Sequence, residues 1–373
     1  MADIVIPAEL LPSDGRFGSG PSLVRTGAVE ALLAAAPTYM GTSHRREGVR
    51  SVVRRARAGL RDLFALPNGY EVLLGNGGST TFWDAAAFGL IDRRSQHLSF
   101  GEFGSKFATV TAAAPHLDDP DVIESPAGTH PLAHATADVD AYCWPHNETS
   151  TGVQTIVERP SGAGPEQLVV IDGTSGAGGL PVEPTQFDVY YFAPQKCFAG
   201  DGGLWLALCS PAAIARIEQI HASGRWVPPS LDLHIALENS RLDQTYNTPA
   251  LATLFLLADQ VEWMLGNGGL EWTTGRCRQS AEVLYRWAEA SGVATPFVAD
   301  PAARSRVTAT IDFDDSVDAA AIAAALRANG IVDTEPYRKL GRNQLRIALF
   351  PAIDPDDVAT LTRAIDFVVV ALA

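Results

Sequence analysis

Lysine is nearly missing from this chain. Lys106, Lys196 and Lys339 are the only three among 28 basic residues in a sequence of 373. Cysteine is also sparse. Cys143, Cys197, Cys209 and Cys277 are widely spaced and form neither a CxxC pair nor a metal-type cluster with histidine, so they read as free buried thiols. Long apolar runs are absent: the best candidate, 251–257, is soon interrupted by Asp259 and Glu262, which excludes a membrane span. The opening Met1-Ala2-Asp3-Ile4-Val5-Ile6-Pro7 has neither the basic start nor the apolar core of a signal peptide, and a cytoplasmic location is expected. Positive charge is in deficit overall, with a net charge of −15, which argues against general nucleic-acid binding.

What is present is a well-packed globular composition, 46% hydrophobic and 19% charged. Seven arginines crowd between Arg45 and Arg61. Arg50, Arg54, Arg57 and Arg61 recur at helical spacing opposite an apolar stripe of Val49, Val53, Ala56 and Leu60, a pattern expected of a helix with a solvated charged face.

From about residue 50 to 265, strand-like runs alternate with helical patterns, which implies an α/β fold with a mostly parallel sheet. Polar or glycine-rich residues follow five of these runs. Tyr70–Leu74 leads into Gly75-Asn76-Gly77-Gly78-Ser79-Thr80, and His97–Phe100 into Gly101-Glu102-Phe103. Ala141–Trp144 leads into Pro145-His146-Asn147-Glu148-Thr149, Leu168–Ile171 into Asp172, and Val189–Ala193 into Pro194-Gln195-Lys196. Open α/β sheets bind ligands beyond the carboxyl ends of their strands, so five such ends point to one crevice. After Gly266-Asn267-Gly268-Gly269 the pattern changes to strands at 306–313 and 345–350 and helices at 318–329 and 354–372. The expected division is a large α/β domain over 17–266 and a small α+β domain over 267–373 that also takes 1–16.

Lys196 and Asp172 carry the chemistry. Each follows a buried-type strand, and such a pair at one sheet edge suits pyridoxal phosphate (PLP): the lysine forms the Schiff base and later moves the Cα proton, while the aspartate keeps the pyridine nitrogen protonated. Lys106 and Lys339 lack that context. The loop 75–80 is a candidate phosphate cup, since glycines let backbone N–H groups approach an anion ahead of a helix N-terminus; it is not a Walker motif, because no lysine follows.

Several short motifs occur in an order that resembles the phosphoserine aminotransferase family, PLP enzymes of fold type I, essentially from end to end. They are Phe17-Gly18-Ser19-Gly20-Pro21, Ser43-His44-Arg45, Asn147-Glu148-Thr149, Gln195-Lys196 and Asn247-Thr248-Pro249, followed by Arg338 and Arg346. The resemblance implies that Lys196 is the Schiff-base lysine, Asp172 its pyridinium partner, and Thr149 a ligand of the ring hydroxyl. It places Gly78, Ser79, Ser175 and Gln195 around the cofactor phosphate, with Asn247 and Thr248 reaching it from a second subunit of a homodimer. It gives His44, Arg45 and Arg338 the distal anion of the substrate and Arg346 the α-carboxylate. The implied reaction is transamination between glutamate and 3-phosphohydroxypyruvate.

Three departures stand out. Ser79 occupies a place where many relatives carry arginine, Phe103 one where many carry a tryptophan stacked on the cofactor, and Tyr337-Arg338 one where many carry His-Arg. Lys106 or another arginine would then supply the missing cation. Taken singly, Asn247-Thr248-Pro249 also reads as a helix entry, with Thr248 as cap and Pro249 in the first turn. Two other classes compete: a cysteine desulfurase or alanine–glyoxylate aminotransferase of the same fold type, and a non-enzymatic phosphate-binding module that uses only the loop 75–80. A desulfurase needs a late mobile cysteine, and Cys277 sits in a helical pattern. The binding module leaves Asp172 and Lys196 without a use.

Overall fold

The computed structural model describes residues 4–373. Met1-Ala2-Asp3, which open the segment read for a leader and fall within the 1–16 assigned to the small domain, lie outside the described residues. Twelve strands are seen among the described residues: β1 (Glu71–Gly77), β2 (Ser95–Ser99), β3 (Asp121–Glu124), β4 (Ala141–Pro145), β5 (Asn147–Glu148), β6 (Val153–Gln154), β7 (Leu168–Asp172), β8 (Val189–Phe192), β9 (Gly203–Cys209), β10 (Ala294–Pro296), β11 (Thr308–Phe313) and β12 (Gln344–Ala348). The helices are α1 (Thr26–Tyr39), α2 (Glu47–Leu63), α3 (Ser79–Gly89), α4 (Glu102–Ala113), α5 (Pro211–Ala222), α6 (Leu233–Arg241), α7 (Leu251–Gly266), α8 (Gly269–Ala290), α9 (Ala319–Ala328) and α10 (Pro355–Leu372).

The central sheet has seven strands in the order β1-β9-β8-β7-β4-β2-β3. Pairing is parallel from β8 through β7, β4 and β2 to β3, and only β9 runs against the rest. The period-two alternation of strand side chains divides each strand between two cores. Val72, Leu74, Val169, Ile171, Tyr190 and Phe192 join residues of α1, α2 and α7, such as Tyr39, Leu60 and Val261. Leu73, Val170, Val189 and Tyr191 join Phe82 of α3, Phe107 of α4, Ile217 of α5 and Leu237 of α6. The result is a three-layer sandwich with a buried sheet, which explains why its strands read as continuous apolar runs.

A third core gathers α8, α9 and α10 with the antiparallel sheet β10-β11-β12, and the N-terminal chain as far as Leu23 contributes Ile6 and Phe17 to it. Between α7 and α8 the chain turns at Gly268, whose φ of 118° is strained for any residue with a side chain.

Two local expectations change. The glycine-rich segment 75–80 is hardly a loop: Gly75–Gly77 finish β1, Ser79 begins α3, and Gly78 alone joins them. Gly75 is needed for strand packing, because a Cβ there would lie 2.2 Å from the Trp205 ring. The arginine face of α2 is not simply solvated. Arg57 donates to Val72 O at 2.9 Å and Arg61 to Tyr70 O at 2.7 Å, so guanidinium groups occupy carbonyls along the edge strand β1. Arg57 and Arg54 both pair with Asp243, at 2.7 and 2.9 Å, and Arg50 donates to Leu242 O at 3.0 Å. These bonds tie α2 to the turn after α6, the turn that carries Asn247 and Thr248.

Candidate active site

The five strand ends do converge. One cavity of about 410 Å³ is lined by Gly78, Ser79 and Thr80 beyond β1, Phe103 beyond β2, and Asn147 and Thr149 beyond β4. Asp172, Thr174 and Ser175 come from the end of β7, and Gln195 and Lys196 from beyond β8. Gly20, Pro21, Trp83, Asp201 and Gly202 complete the wall.

Lys196 is buried, and its ammonium nitrogen donates to Ser19 O. Burial, followed by the nearby positive charge of Arg346, lowers its pKa from 10.5 to about 8. A neutral amine is therefore accessible near physiological pH, as a nucleophile requires. The rate at which the ligand-free protein captures an aldehyde such as pyridoxal phosphate is expected to rise with pH and level off with a midpoint near 8, because the reactive form is the deprotonated one. Stopped-flow absorbance across pH 6 to 10 checks this; a midpoint near 10.5 would mean the amine is not desolvated.

Asp172 is buried as well, and no basic side chain pairs with it among the described residues. Burial raises its pKa, opposed by hydrogen bonds from Thr174, Tyr191 and Trp83. The Thr174 N–H donates at 2.8 Å, and the Trp83 indole N–H lies 3.4 Å from the other carboxylate oxygen. Trp83 was not singled out from sequence. The available signal was its position four residues after Ser79, which puts both on one face of α3.

Polar groups crosslink the rest of the wall. Thr149 Oγ1 and Asn147 Nδ2 each donate to Ser175 Oγ at 2.8 Å, and Thr174 Oγ1 donates to Ser79 Oγ at 2.6 Å. Glu148, between Asn147 and Thr149, is fully buried and accepts from Phe103 N at 3.0 Å, Gly104 N at 3.1 Å and Ser150 Oγ at 2.6 Å. It caps α4 and so sets the position of Phe103. Burial raises its pKa despite these bonds. Glu148→Ala strands those buried donors, and a loss of about 3 kcal/mol is expected, together with a less ordered Phe103; urea unfolding measures the first.

The arginines and the 247–248 segment stand apart from this wall. Arg346 is half-buried, donates to Thr149 O at 3.4 Å and packs over the Tyr337 ring at 5.4 Å, while its Nε has no partner. Burial lowers its pKa. Arg338 and Arg45 are exposed, and neither forms an ion pair among the described residues. Arg45 donates to Gln244 at 2.9 Å. His44 Nδ1 meets Thr248 Oγ1 at 3.2 Å. Asn247 and Thr248 are exposed and do not line the cavity of their own chain. The helix-entry alternative does not hold: α7 starts at Leu251 after Ala250, without a side-chain cap. Lys106 pairs with Glu102 at 3.1 Å, beside the Phe103 ring and outside the cavity lining, so it does not replace the cation absent at Ser79. Cys277 is buried in α8, with its thiol pKa pushed up by burial, the opposite of a mobile catalytic cysteine.

Comparison with known proteins agrees with this geometry. Residues 117–334 match the family model Aminotransferase class-V. A protein of Mycolicibacterium vanbaalenii is 62% identical over 367 residues, 98% of each chain. The phosphoserine aminotransferase of Rhodococcus jostii is 60% identical over 365 residues, again 98% of each. Among solved structures, a phosphoserine aminotransferase from Cytophaga hutchinsonii superposes with a TM-score of 0.87 at 23% identity, over 95% of this chain and 99% of that one. This last likeness establishes the fold, that of fold type I aminotransferases. The chain belongs to the aminotransferase class-V family, among the phosphoserine aminotransferases.

Proposed function

We propose that the protein is a PLP-dependent aminotransferase that moves the amino group of L-glutamate to 3-phosphohydroxypyruvate, giving 2-oxoglutarate and O-phospho-L-serine, a step of serine biosynthesis. The observation that carries this reading is the pairing in one cavity of a buried, pKa-lowered Lys196 and a buried Asp172 that lacks any cationic partner.

The residues present fit the cofactor. A buried carboxylate without a counter-ion calls for a cationic ligand group, which a protonated pyridine nitrogen supplies. Asn147 Oδ1 and Gln195 Oε1 are likewise buried without a partner. Ser79, at the N-terminus of the eleven-residue α3, offers a hydroxyl and helix-end N–H groups to a phosphate. When bound, PLP provides an electron sink for charge at the substrate Cα.

With PLP in place, Lys196 would hold its aldehyde end and, as a neutral amine, carry the proton at the substrate Cα. Asp172 would keep the ring nitrogen protonated and Thr149 would meet the ring hydroxyl. Gly78, Ser79, Ser175 and Gln195 would hold the phosphate, and Phe103 would cover the ring. Arg346 takes the α-carboxylate, where its fork and its free Nε suit a planar anion. His44, Arg45 and Arg338 take the distal carboxylate or phosphate, and the lack of acidic partners on both arginines supports that role.

Asn247 and Thr248 are lent to the neighbouring copy of a homodimer, a reading supported by their exposure away from their own cavity. We assign 17–266 to the large domain and 267–373 with 1–16 to the small one. The enzyme works in the cytoplasm; among the described residues no helix is long and apolar enough to cross a membrane. The same site accepts the phosphorylated keto acid of pyridoxine biosynthesis, which shares the charges of the serine precursor.

The test is the visible spectrum of the PLP-loaded protein before and after glutamate. Conversion of the yellow band to the pyridoxamine form, reversed by 3-phosphohydroxypyruvate and not by pyruvate, supports the proposal. A yellow band indifferent to glutamate overturns the donor, and reversal by pyruvate alone overturns the phosphorylated acceptor.

A further inference from the structure

Asp172 and Tyr191 are register partners on adjacent parallel strands, with side chains on the α3–α4 face of the sheet. Tyr191 is fully buried. Its ring stacks on Phe82 at 4.5 Å and meets the edge of Phe107 at 6.2 Å, so it has little freedom to move. The Trp83 indole N–H donates to the Tyr191 oxygen at 2.8 Å. That occupies the acceptor side of the hydroxyl and leaves its proton free to turn to the neighbouring Asp172 carboxylate, whose Oδ2 the same indole N–H approaches at 3.4 Å. Tyr191 is outside the cavity wall.

We propose that Tyr191 is a positioning residue: its hydroxyl, oriented by Trp83, holds the Asp172 carboxylate ionised and aimed into the cavity, and so sets how strongly the site prefers a ligand ring with a protonated nitrogen. Three facts converge on this. No basic side chain pairs directly with the buried carboxylate among the described residues, so neutral donors hold it. The donors divide between its two oxygens, Thr174 on one and Trp83 on the other, the arrangement that fixes a carboxylate plane. A tyrosine, with its proton retained by burial, remains a donor across the working pH range.

The inference rests on the PLP reading, and its test separates the two. The dissociation constants of the ligand-free protein are measured for PLP and for its carbocyclic analogue, in which CH replaces the ring nitrogen. The wild type is expected to prefer PLP by tenfold or more. In Tyr191→Phe that preference falls about tenfold, as for loss of a hydrogen bond to a charged group, and in the Asp172→Asn background Tyr191→Phe changes it no further. A merely structural role would weaken both ligands equally and leave the ratio intact, which overturns the proposal. Trp83→Phe provides a second route should Tyr191→Phe fold poorly: it removes the indole N–H that anchors the tyrosine hydroxyl together with its own longer contact to Asp172, so a fall in the same ratio is expected, while an unchanged ratio overturns the proposal. A wild type indifferent to the ring nitrogen would instead remove Asp172 as its partner, and the functional reading would fall with it.

Discussion

A Lys196→Ala variant is expected to fold and to lose turnover by about four orders of magnitude or more, because one amine serves both as nucleophile and as base for the Cα proton. No other side chain substitutes for it. Lys106 is tied to Glu102 outside the cavity, and Lys339 bonds the same carboxylate at 2.5 Å. The fold should survive, since Lys196 contributes little to it. The sign follows from its pKa, which falls from 10.5 to about 8 on folding. Below pH 8 the folded protein carries a buried ammonium at a penalty, and the penalty disappears only above 10.5. Removing the amine relieves that penalty at neutral pH, so thermal stability holds or rises. Turnover in a single-turnover assay with glutamate, with circular dichroism as the folding control, decides the point. Retention of more than about a hundredth of wild-type turnover would put the chemistry elsewhere.

Much of this was legible in the sequence because the sheet is buried on both faces. Continuous apolar runs ending in polar residues mark Leu168–Asp172 and Val189–Phe192 as strands whose ends face a crevice, and Asp172 and Lys196 then follow from their places after those ends. Less was legible where tertiary contacts assign the role. Gly75 and Gly77 read as loop residues, yet the first makes room for Trp205 and both pair with β9. Arg54 and Arg57 read as solvated, yet their acid partner Asp243 lies more than 180 residues away. Trp83 carries no sequence signal for its contacts: that one indole N–H sits between a phenol and a carboxylate depends on the packing of α3 against the sheet, which no local pattern encodes. The departure at Ser79 is visible in sequence, while its setting, a hydroxyl bonded to Thr174 at the start of α3, needs the structure.

The motif Phe17–Pro21 supplies the second large effect. Gly20 has a φ of 130°, and a Cβ built there would lie 2.4 Å from the Lys196 nitrogen and 2.6 Å from its Cε. Gly20→Ala therefore meets two costs of different kinds. The backbone strain belongs to stability and should amount to about 1–3 kcal/mol. The contact is with the end of a flexible side chain, which can swing aside cheaply, so it adds little to that loss. It does displace the one amine whose position matters: a shift on the order of 1 Å costs reactivity about a hundredfold. The expected result is a modest drop in melting temperature with a far larger drop in kcat, and with the Michaelis constant for glutamate little changed because Arg346 is undisturbed. Gly48→Ala, at a helical position of α2 with nothing within 4 Å, is the control and should leave turnover unaltered. If Gly20→Ala loses stability but keeps its kcat, Lys196 does not rest against Gly20 in the working enzyme, and the close approach of the two would have no part in catalysis.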